Sequence, residues 1–215
     1  MPNREKALTR LITSGVVAVI RMEDARQLIA VAEALKAGGV ESIEFTMTTP
    51  GALTVMEQVA GRFGDEVLLG AGTVLDAETA RAAILAGAQF VVGPGLNLDV
   101  IRMCRRYNTV VIPGAMTPTE IITAWETGAD IVKVFPAGVL GPGFLKDILG
   151  PLPQVRLLPT GGVNLDNAAA FIKAGAVAIG VGSDLVDKKM VKEGRFDLLT
   201  ERAQSFVQAV AKARA

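Results

Sequence analysis

The stretch TVVIPGAMTPTEIITAWETGADIVKVFP, residues 109–136, holds two short apolar runs on either side of a helical pattern. The runs at 109–112 and 131–135 are rich in β-branched residues, which is typical of buried strands. Residues 118–127 between them have the pattern of a helix. Strand, helix and strand in this order predict a βαβ unit, in which the two strands lie parallel in one sheet.

Capping residues support the helix in this unit. Thr117 stands at the N-cap position, Pro118 at the first helical position and Glu120 at the third, which together form a capping box. Gly128 follows the last helical residue and suits a left-handed C-cap. The boundaries of the helix are therefore predicted from both of its ends.

The same alternation extends along the 215 residues and predicts a (β/α)8 TIM barrel. The predicted strands are 16–20, 42–46, 67–70, 90–92, 109–112, 131–135, 156–158 and 178–181. The predicted helices are 24–37, 51–62, 76–86, 98–106, 118–127, 144–149, 165–174 and 196–213, with an extra helix at 2–14. Because no linker rich in Pro, Gly or Ser divides the chain, we expect a single domain over residues 1–215.

The charge balance excludes two classes of partner. Lys plus Arg and Asp plus Glu both number 22, so no basic face is expected for nucleic acid or an anionic membrane. No uncharged apolar run is long enough to span a bilayer, and the N-terminus lacks the apolar core of a signal peptide.

The single cysteine, Cys104, cannot form an internal disulfide, which favours a reducing, cytoplasmic location. It lies in a predicted helix, where a half-buried structural thiol is expected.

The chain contains no histidine, and this restricts the chemistry that it can perform. A metal site with histidine ligands is excluded, and one cysteine is too few for a cysteine-rich zinc site. We therefore expect no metal and no cofactor. Proton transfer must rely on Glu, Asp, Lys, Tyr, Ser, Thr or backbone groups.

Lys133 lies in the middle of the predicted strand at 131–135. Because side chains alternate along a strand, Lys133 shares one face with Ile131 and Phe135, and this face is expected to point into the barrel. Burial among apolar groups disfavours the ammonium form and yields an amine nucleophile. The alternative is a lysine that extends from the strand end to solvent.

Glu44 points inward by the same argument, together with Ser42 and Thr46. A carboxylate near an inward lysine is a natural general acid–base. The alternative is a structural ion pair between Glu44 and Lys133, and both interpretations can hold together.

Glycine-rich turns follow three predicted strands, at 70–73, 160–163 and 182–183. In this barrel the loops after the seventh and eighth strands commonly bind phosphate. Consecutive glycines allow backbone N–H groups to approach an anion, and Asn164 opens a helix whose N-terminus favours negative charge. The alternative is that each Gly-Gly pair only forms a tight turn.

Arg21 directly follows the first predicted strand and is expected at the same rim of the barrel as Glu44 and Lys133. Its planar guanidinium matches a carboxylate or a phosphate, so we expect it to bind an anionic end of the substrate. The alternative is that Arg21 pairs with a surface acid such as Glu23 or Asp24.

Together these motifs resemble the 2-keto-3-deoxy-6-phosphogluconate (KDPG) aldolase and 4-hydroxy-2-oxoglutarate (KHG) aldolase family, from about residue 16 to residue 186. The matching segments are VAVIR at 17–21, EFT at 44–46, GAGTV at 70–74, GPG at 93–95, PGAMTPTE at 113–120, KVFP at 133–136, PTGGV at 159–163 and GS at 182–183.

The resemblance implies a trimeric class I aldolase of the Entner–Doudoroff pathway that yields pyruvate and glyceraldehyde 3-phosphate. It implies that Lys133 forms the Schiff base and that Glu44 is the general acid–base. The implied pyruvate contacts are Thr73, Pro94 and Phe135. The implied phosphate contacts are Gly161, Gly162, Gly182 and Ser183.

One position departs from the family pattern. Many members carry a substrate-contacting Arg shortly after the second strand, where this chain has Thr48. Thr48 is included among the expected substrate contacts, and this departure concerns the choice of substrate and not the type of reaction. Alternatives are the galactonate epimer or 4-hydroxy-2-oxoglutarate as substrate, a sugar-phosphate isomerase or epimerase, or a non-enzymatic phosphosugar-binding barrel.

Overall fold

The computed structural model describes residues 3–22 and 27–215, and it confirms the predicted alternation of strands and helices. The strands are β1 Val16–Ile20, β2 Ser42–Thr46, β3 Leu68–Gly72, β4 Phe90–Val92, β5 Val110–Ile112, β6 Gly114–Ala115, β7 Val132–Val134, β8 Leu157–Pro159 and β9 Ile179–Val181. The helices are α1 Arg4–Ser14, α2 Leu28–Ala37, α3 Ala52–Phe63, α4 Ala77–Leu85, α5 Leu98–Arg106, α6 Pro118–Thr127, α7 Ala137–Leu149, α8 Leu165–Lys173, α9 Lys188–Lys192 and α10 Phe196–Arg214. The predicted helix starts at Pro2 and Asp24 lie outside the described residues.

All strand pairs are parallel, and the strands form an α/β fold with a curled sheet. Six strands pair in the order β5-β4-β3-β2-β1-β9, and a second sheet pairs β6, β7 and β8. Backbone contacts connect the two sheets at both edges. At one edge the Asp130 N–H donates to the Val111 carbonyl at 3.0 Å, and at the other Thr160 bridges Gly180.

The structure differs from the predicted elements at three places, and two of these differences have a physical cause. The predicted strand at 109–112 continues as β6 after Pro113, which has no N–H to donate to a neighbouring strand. The helix predicted at 144–149 begins at Ala137, and Gly141 breaks its helical path with φ 73° and ψ 171° just before Pro142. The short helix α9 was not predicted.

Apolar residues form two layers. The larger layer lies between the sheet and the surrounding helices and contains Cys104, which is fully buried rather than half-buried as predicted. The smaller layer lies on the inner face of the strands, and Ala7 and Leu11 of α1 pack against it. The extra N-terminal helix therefore covers the interior where the strands begin, and the opposite end, where they finish, is left for a site.

Within the described ranges, no helix has both the length and the apolar character needed to cross a membrane.

Candidate active site

A cleft of about 570 Å³ lies where the strands end. It is lined by most of the predicted site residues: Arg21, Thr73, Pro94, Lys133, Phe135, Gly161, Gly162, Gly182 and Ser183. It is also lined by Val19, Thr160, Val163, Asn164, Asp184, Val186 and Lys188, which the sequence analysis did not assign to substrate contacts. The loops after β1, β3, β4, β7, β8 and β9 thus meet around one space.

Lys133 lies at the centre of β7, between Gly114 of β6 and Leu158 of β8. Its backbone N–H donates to the Pro113 carbonyl at 2.9 Å, which fixes the residue in the sheet. The residue is only 6% exposed, so the side chain does not extend to bulk solvent. Its Nζ lies 5.0 Å from the centre of the Phe135 ring. This geometry places a buried amine at the cleft wall.

Glu44 lies at the centre of β2 and is 2% exposed. It does not line the cleft itself, although its carboxylate interacts electrostatically with Lys133 and Arg21, which do. Burial raises the pKa of Glu44 above its ordinary value, and the charges of Lys133 and then Arg21 oppose this shift. Its Oε1 has no hydrogen-bond partner. A buried carboxyl with an unsatisfied oxygen is suited to proton transfer.

Gly72 provides the space for this carboxylate. A Cβ atom added at Gly72 would overlap the Glu44 side chain, since β3 runs directly beside β2. The sequence analysis assigned the glycines at 70–73 only to a turn. The pairing of an inward acid with a glycine on the next strand is a signal that it missed.

Two successive glycines shape the turn after β8. Gly161 and Gly162 both have φ of 81°, a left-handed conformation that favours glycine. The N–H groups of Ala137 and Gly138 donate to the carbonyls of Thr160 and Gly161, at 2.8 and 2.7 Å. Successive backbone N–H groups in such turns form concave sites for anions.

Side chains of α8 hold this turn in place. Asn164 caps the helix as predicted, with its Oδ1 accepting from the N–H groups of Asp166 and Asn167. The Asn167 side-chain amide donates to the Gly162 carbonyl at 2.8 Å. The Gly-Gly turn is therefore tied to the start of α8 from one side and to the start of α7 from the other.

Of the two predicted substrate contacts Arg21 and Thr48, only Arg21 lines the cleft. Arg21 is exposed and lines the cleft near Gly182 and Ser183. Its alternative partners Glu23 and Asp24 lie outside the described residues. Thr48 is exposed and is not among the residues that line the cleft, and its Oγ1 lies 3.0 Å from that of Thr46.

Thr160 is a cleft residue that the sequence analysis did not single out. It is 6% exposed, and its Oγ1 is buried without a hydrogen-bond partner. It follows Leu158 by two residues, and Leu158 belongs to the inner apolar layer. The alternation that identified Lys133 and Glu44 would have placed Thr160 inside as well.

The described residues contain no group of three or more His, Cys, Asp or Glu side chains that could hold a metal ion. Burial, assisted by the charge of Asp130, raises the pKa of the Cys104 thiol to about 12. A thiol with so high a pKa is not a nucleophile at neutral pH, and Cys104 lies in the layer between sheet and helices.

Comparisons with known proteins agree on one family. The profile of the KDPG and KHG aldolase family matches residues 8–201. The 2-dehydro-3-deoxy-phosphogluconate aldolase of Treponema pallidum is 39% identical over 206 residues, which cover 95% of this chain and 96% of that protein.

Two solved structures are similar over nearly their full lengths. One is KDPG aldolase from Legionella pneumophila with pyruvate captured at low pH as a covalent carbinolamine intermediate, with TM-score 0.87, 31% identity and coverage of 93% of this chain and 97% of that one. The other is the KDPG aldolase of Zymomonas mobilis with 3-phosphoglycerate, with TM-score 0.82, 30% identity and coverage of 95% and 96%.

Proposed function

The chain belongs to the KDPG and KHG aldolase family, and from this premise we propose that it is a class I aldolase, a lyase that cleaves KDPG to pyruvate and glyceraldehyde 3-phosphate. The observation that carries the proposal is the buried amine of Lys133 at the cleft, with the buried carboxyl of Glu44 close enough to interact with it electrostatically. An isomerase or a phosphosugar-binding protein would not need a lysine in the middle of a buried strand.

Lys133 performs the covalent step. Its amine adds to the C2 ketone of the substrate, and loss of water gives an imine. The protonated imine accepts the electron pair of the C3–C4 bond when this bond breaks. In support, the related Legionella enzyme holds pyruvate as a covalent carbinolamine.

Glu44 performs the proton transfers. It removes the proton of the C4 hydroxyl, directly or through a water, so that C4 leaves as the aldehyde and an enamine remains on Lys133. It then supports protonation at C3, and hydrolysis of the imine releases pyruvate and restores the amine. One carboxyl can serve each step, which suits a chain without histidine.

The remaining cleft residues bind the substrate. Thr73, Pro94 and Phe135 border the pyruvate part. The phosphate binds at the turns that contain Gly161, Gly162, Gly182 and Ser183. The conformation of the Gly-Gly turn supports this assignment, and the Zymomonas relative, solved with 3-phosphoglycerate, supports a ligand that carries a phosphate. Thr48 can contribute only a hydroxyl where many members have Arg.

Arg21 supplies a cation for an anionic group of the substrate. We expect Arg21→Ala to raise the KM for phosphorylated substrate by roughly tenfold or more, the scale of a lost charge-assisted hydrogen bond. Arg21→Lys should raise KM as well, because it restores the charge but not the planar fork. Steady-state kinetics of both variants measure this. Unchanged KM and kcat in Arg21→Ala would show that the residue is only a solvated strand end.

No metal takes part in the proposed steps. We expect exhaustive chelation followed by gel filtration to leave the rate of pyruvate release unchanged, because Lys133 supplies the electron sink that a divalent ion supplies in metal-dependent aldolases. The check is a rate measurement before and after chelation. A loss of activity that a divalent metal restores would refute the metal-free mechanism.

A coupled assay for pyruvate release tests the proposed function. We expect turnover with KDPG, and the same assay with the galactonate epimer and with 4-hydroxy-2-oxoglutarate defines the preference at C4 and for the phosphate. Absence of pyruvate from all three substrates would contradict the proposal and favour an isomerase or a binding protein.

Several further properties belong to the same proposal. We propose that the two sheets form a closed (β/α)8 barrel, with β5 and β6 as one strand, in a single domain; the contacts at both sheet edges support this. We propose a homotrimer, and large apolar side chains that are exposed in the single chain support this, namely Leu53, Leu75, Leu85, Met116, Val139 and Leu165. We also propose that the protein is cytoplasmic and acts in the Entner–Doudoroff pathway; the proposed substrate and the single buried cysteine support this.

A further inference from the structure

Thr49 is a buried polar residue in the loop between β2 and α3, and the mechanism above does not use it. It is 3% exposed. Its backbone is fixed on both sides, since its N–H donates to the Thr46 carbonyl at 3.0 Å and its carbonyl accepts from the Ala52 N–H at 3.1 Å. These bonds close the turn after β2 and lead into α3, so the backbone that carries the Thr49 side chain is held in place.

The hydroxyl of Thr49 contacts the segment that follows the neighbouring strand β1. Its Oγ1 accepts a hydrogen bond from the Met22 N–H at 3.3 Å. The ladder between β1 and β2 ends at the pair Ile20 and Phe45, two residues before Met22 and four residues before Thr49. The bond to Met22 therefore links the segments that follow β1 and β2, beyond the last paired residues of the two strands. It is made by the residue directly after Arg21.

We propose that Thr49 is a positioning residue for Arg21: its hydroxyl fixes the backbone that follows Arg21 and so keeps the guanidinium directed into the cleft. The inference rests on the proposed function, because it assumes that Arg21 binds the substrate. It extends that function to a residue that does not touch the substrate and is not among the residues that line the cleft.

The physical reason lies in the length and exposure of Arg21. An exposed arginine has many rotamers, and ordering it on binding costs free energy. A fixed backbone at Met22 reduces the directions in which the side chain of its neighbour can point. Without the hydroxyl, Arg21 can still make the same contacts with the bound substrate. Binding must then order the backbone of Arg21 and Met22, so the affinity for the substrate falls. The chemical step at Lys133 is unaltered.

The experiment compares Thr49→Val with Thr49→Ser on phosphorylated substrate. Valine retains the shape and removes the hydroxyl, so we expect KM to rise about two- to tenfold, the scale of one net hydrogen bond, with kcat unchanged. Serine keeps the hydroxyl and should restore most of the wild-type KM. Thermal melting verifies that both variants fold.

Thr109→Val is the matched control. Thr109 is also a buried threonine with a hydrogen bond between its hydroxyl and the backbone, although here the hydroxyl donates, to the Tyr107 carbonyl at 3.4 Å. It lies before β5, at the opposite end of the strands from the cleft. We expect its KM to equal that of the wild type. An equal rise of KM in Thr109→Val would overturn the inference, because it would show a general effect of removing a buried hydroxyl.

The decisive arm combines the valine variant with Arg21→Ala. If Thr49 acts through Arg21, Thr49→Val should raise KM in the wild type and cause no further rise in Arg21→Ala. Equal rises in both backgrounds, or a fall in kcat at constant KM, would overturn the inference and leave the role of Arg21 intact. An unchanged KM in Arg21→Ala would overturn both the inference on Thr49 and the role of Arg21. Absence of aldolase activity from the wild-type protein would refute the proposed function itself.

Discussion

Lys133→Ala should lower kcat by about four orders of magnitude or more, as expected for removal of a residue that forms the covalent intermediate. Without the amine no imine forms, and the electrons of the breaking C3–C4 bond have no acceptor. Glu44 cannot replace it, because a carboxyl does not form an imine. Steady-state assay of pyruvate release at high enzyme concentration measures the residual rate.

The control for this variant is Lys146→Ala. Lys146 is exposed on α7, so its loss should leave the rate within experimental error. Thermal melting of Lys133→Ala should show a folded protein, since removal of a buried amine also removes its cost of desolvation. Near-normal turnover of a folded Lys133→Ala variant would eliminate the Schiff-base mechanism.

Glu44→Gln should lower the rate by about a hundredfold or more, the usual scale for a positioned acid–base group. Glutamine preserves the shape that Gly72 accommodates and cannot transfer the proton. The wild-type rate should fall as the pH drops through the pKa of Glu44, which lies above the ordinary value of 4.5 because the group is buried. The variant should lack this limb of the pH profile.

Thermal stability gives an independent check on Glu44. A carboxyl whose pKa is raised in the folded state binds its proton more tightly there, so its contribution to stability is lost as the pH rises above 4.5 through the folded-state pKa. Glutamine does not ionise, so the Tm of Glu44→Gln should rise relative to wild type over that interval. Near-normal turnover of Glu44→Gln with an unaltered pH profile would instead show that Glu44 has a structural role and is not the acid–base group.

The sequence predicted the elements and the inward positions of Lys133 and Glu44 because both depend on local periodicity. Alternation along a strand is set by backbone geometry, and it placed Lys133 and Glu44 inside without knowledge of the sheet. The capping box of α6 was equally local and is confirmed. The same rule applied to β8 would have added Thr160, which was missed only because its neighbouring glycines suggested a turn.

Other features depend on contacts between distant segments. The space for Glu44 comes from Gly72 on the next strand, and the bond from Met22 to Thr49 depends on how two loops meet. The sequence analysis also missed the part of α7 before Gly141, because the non-helical backbone of Gly141 separates it from the predicted part of the helix. A linear pattern cannot specify which loops approach each other, so the composition of the cleft wall needed the three-dimensional structure.

The most direct test of the Schiff-base mechanism is reductive trapping with pyruvate. The protein is incubated with pyruvate and borohydride, and the modified peptide is located by mass spectrometry. The mechanism predicts one pyruvate-derived adduct per chain, located on Lys133, with loss of activity in proportion to labelling. An adduct found only on other lysines, or full activity in a chain labelled at Lys133, would contradict it.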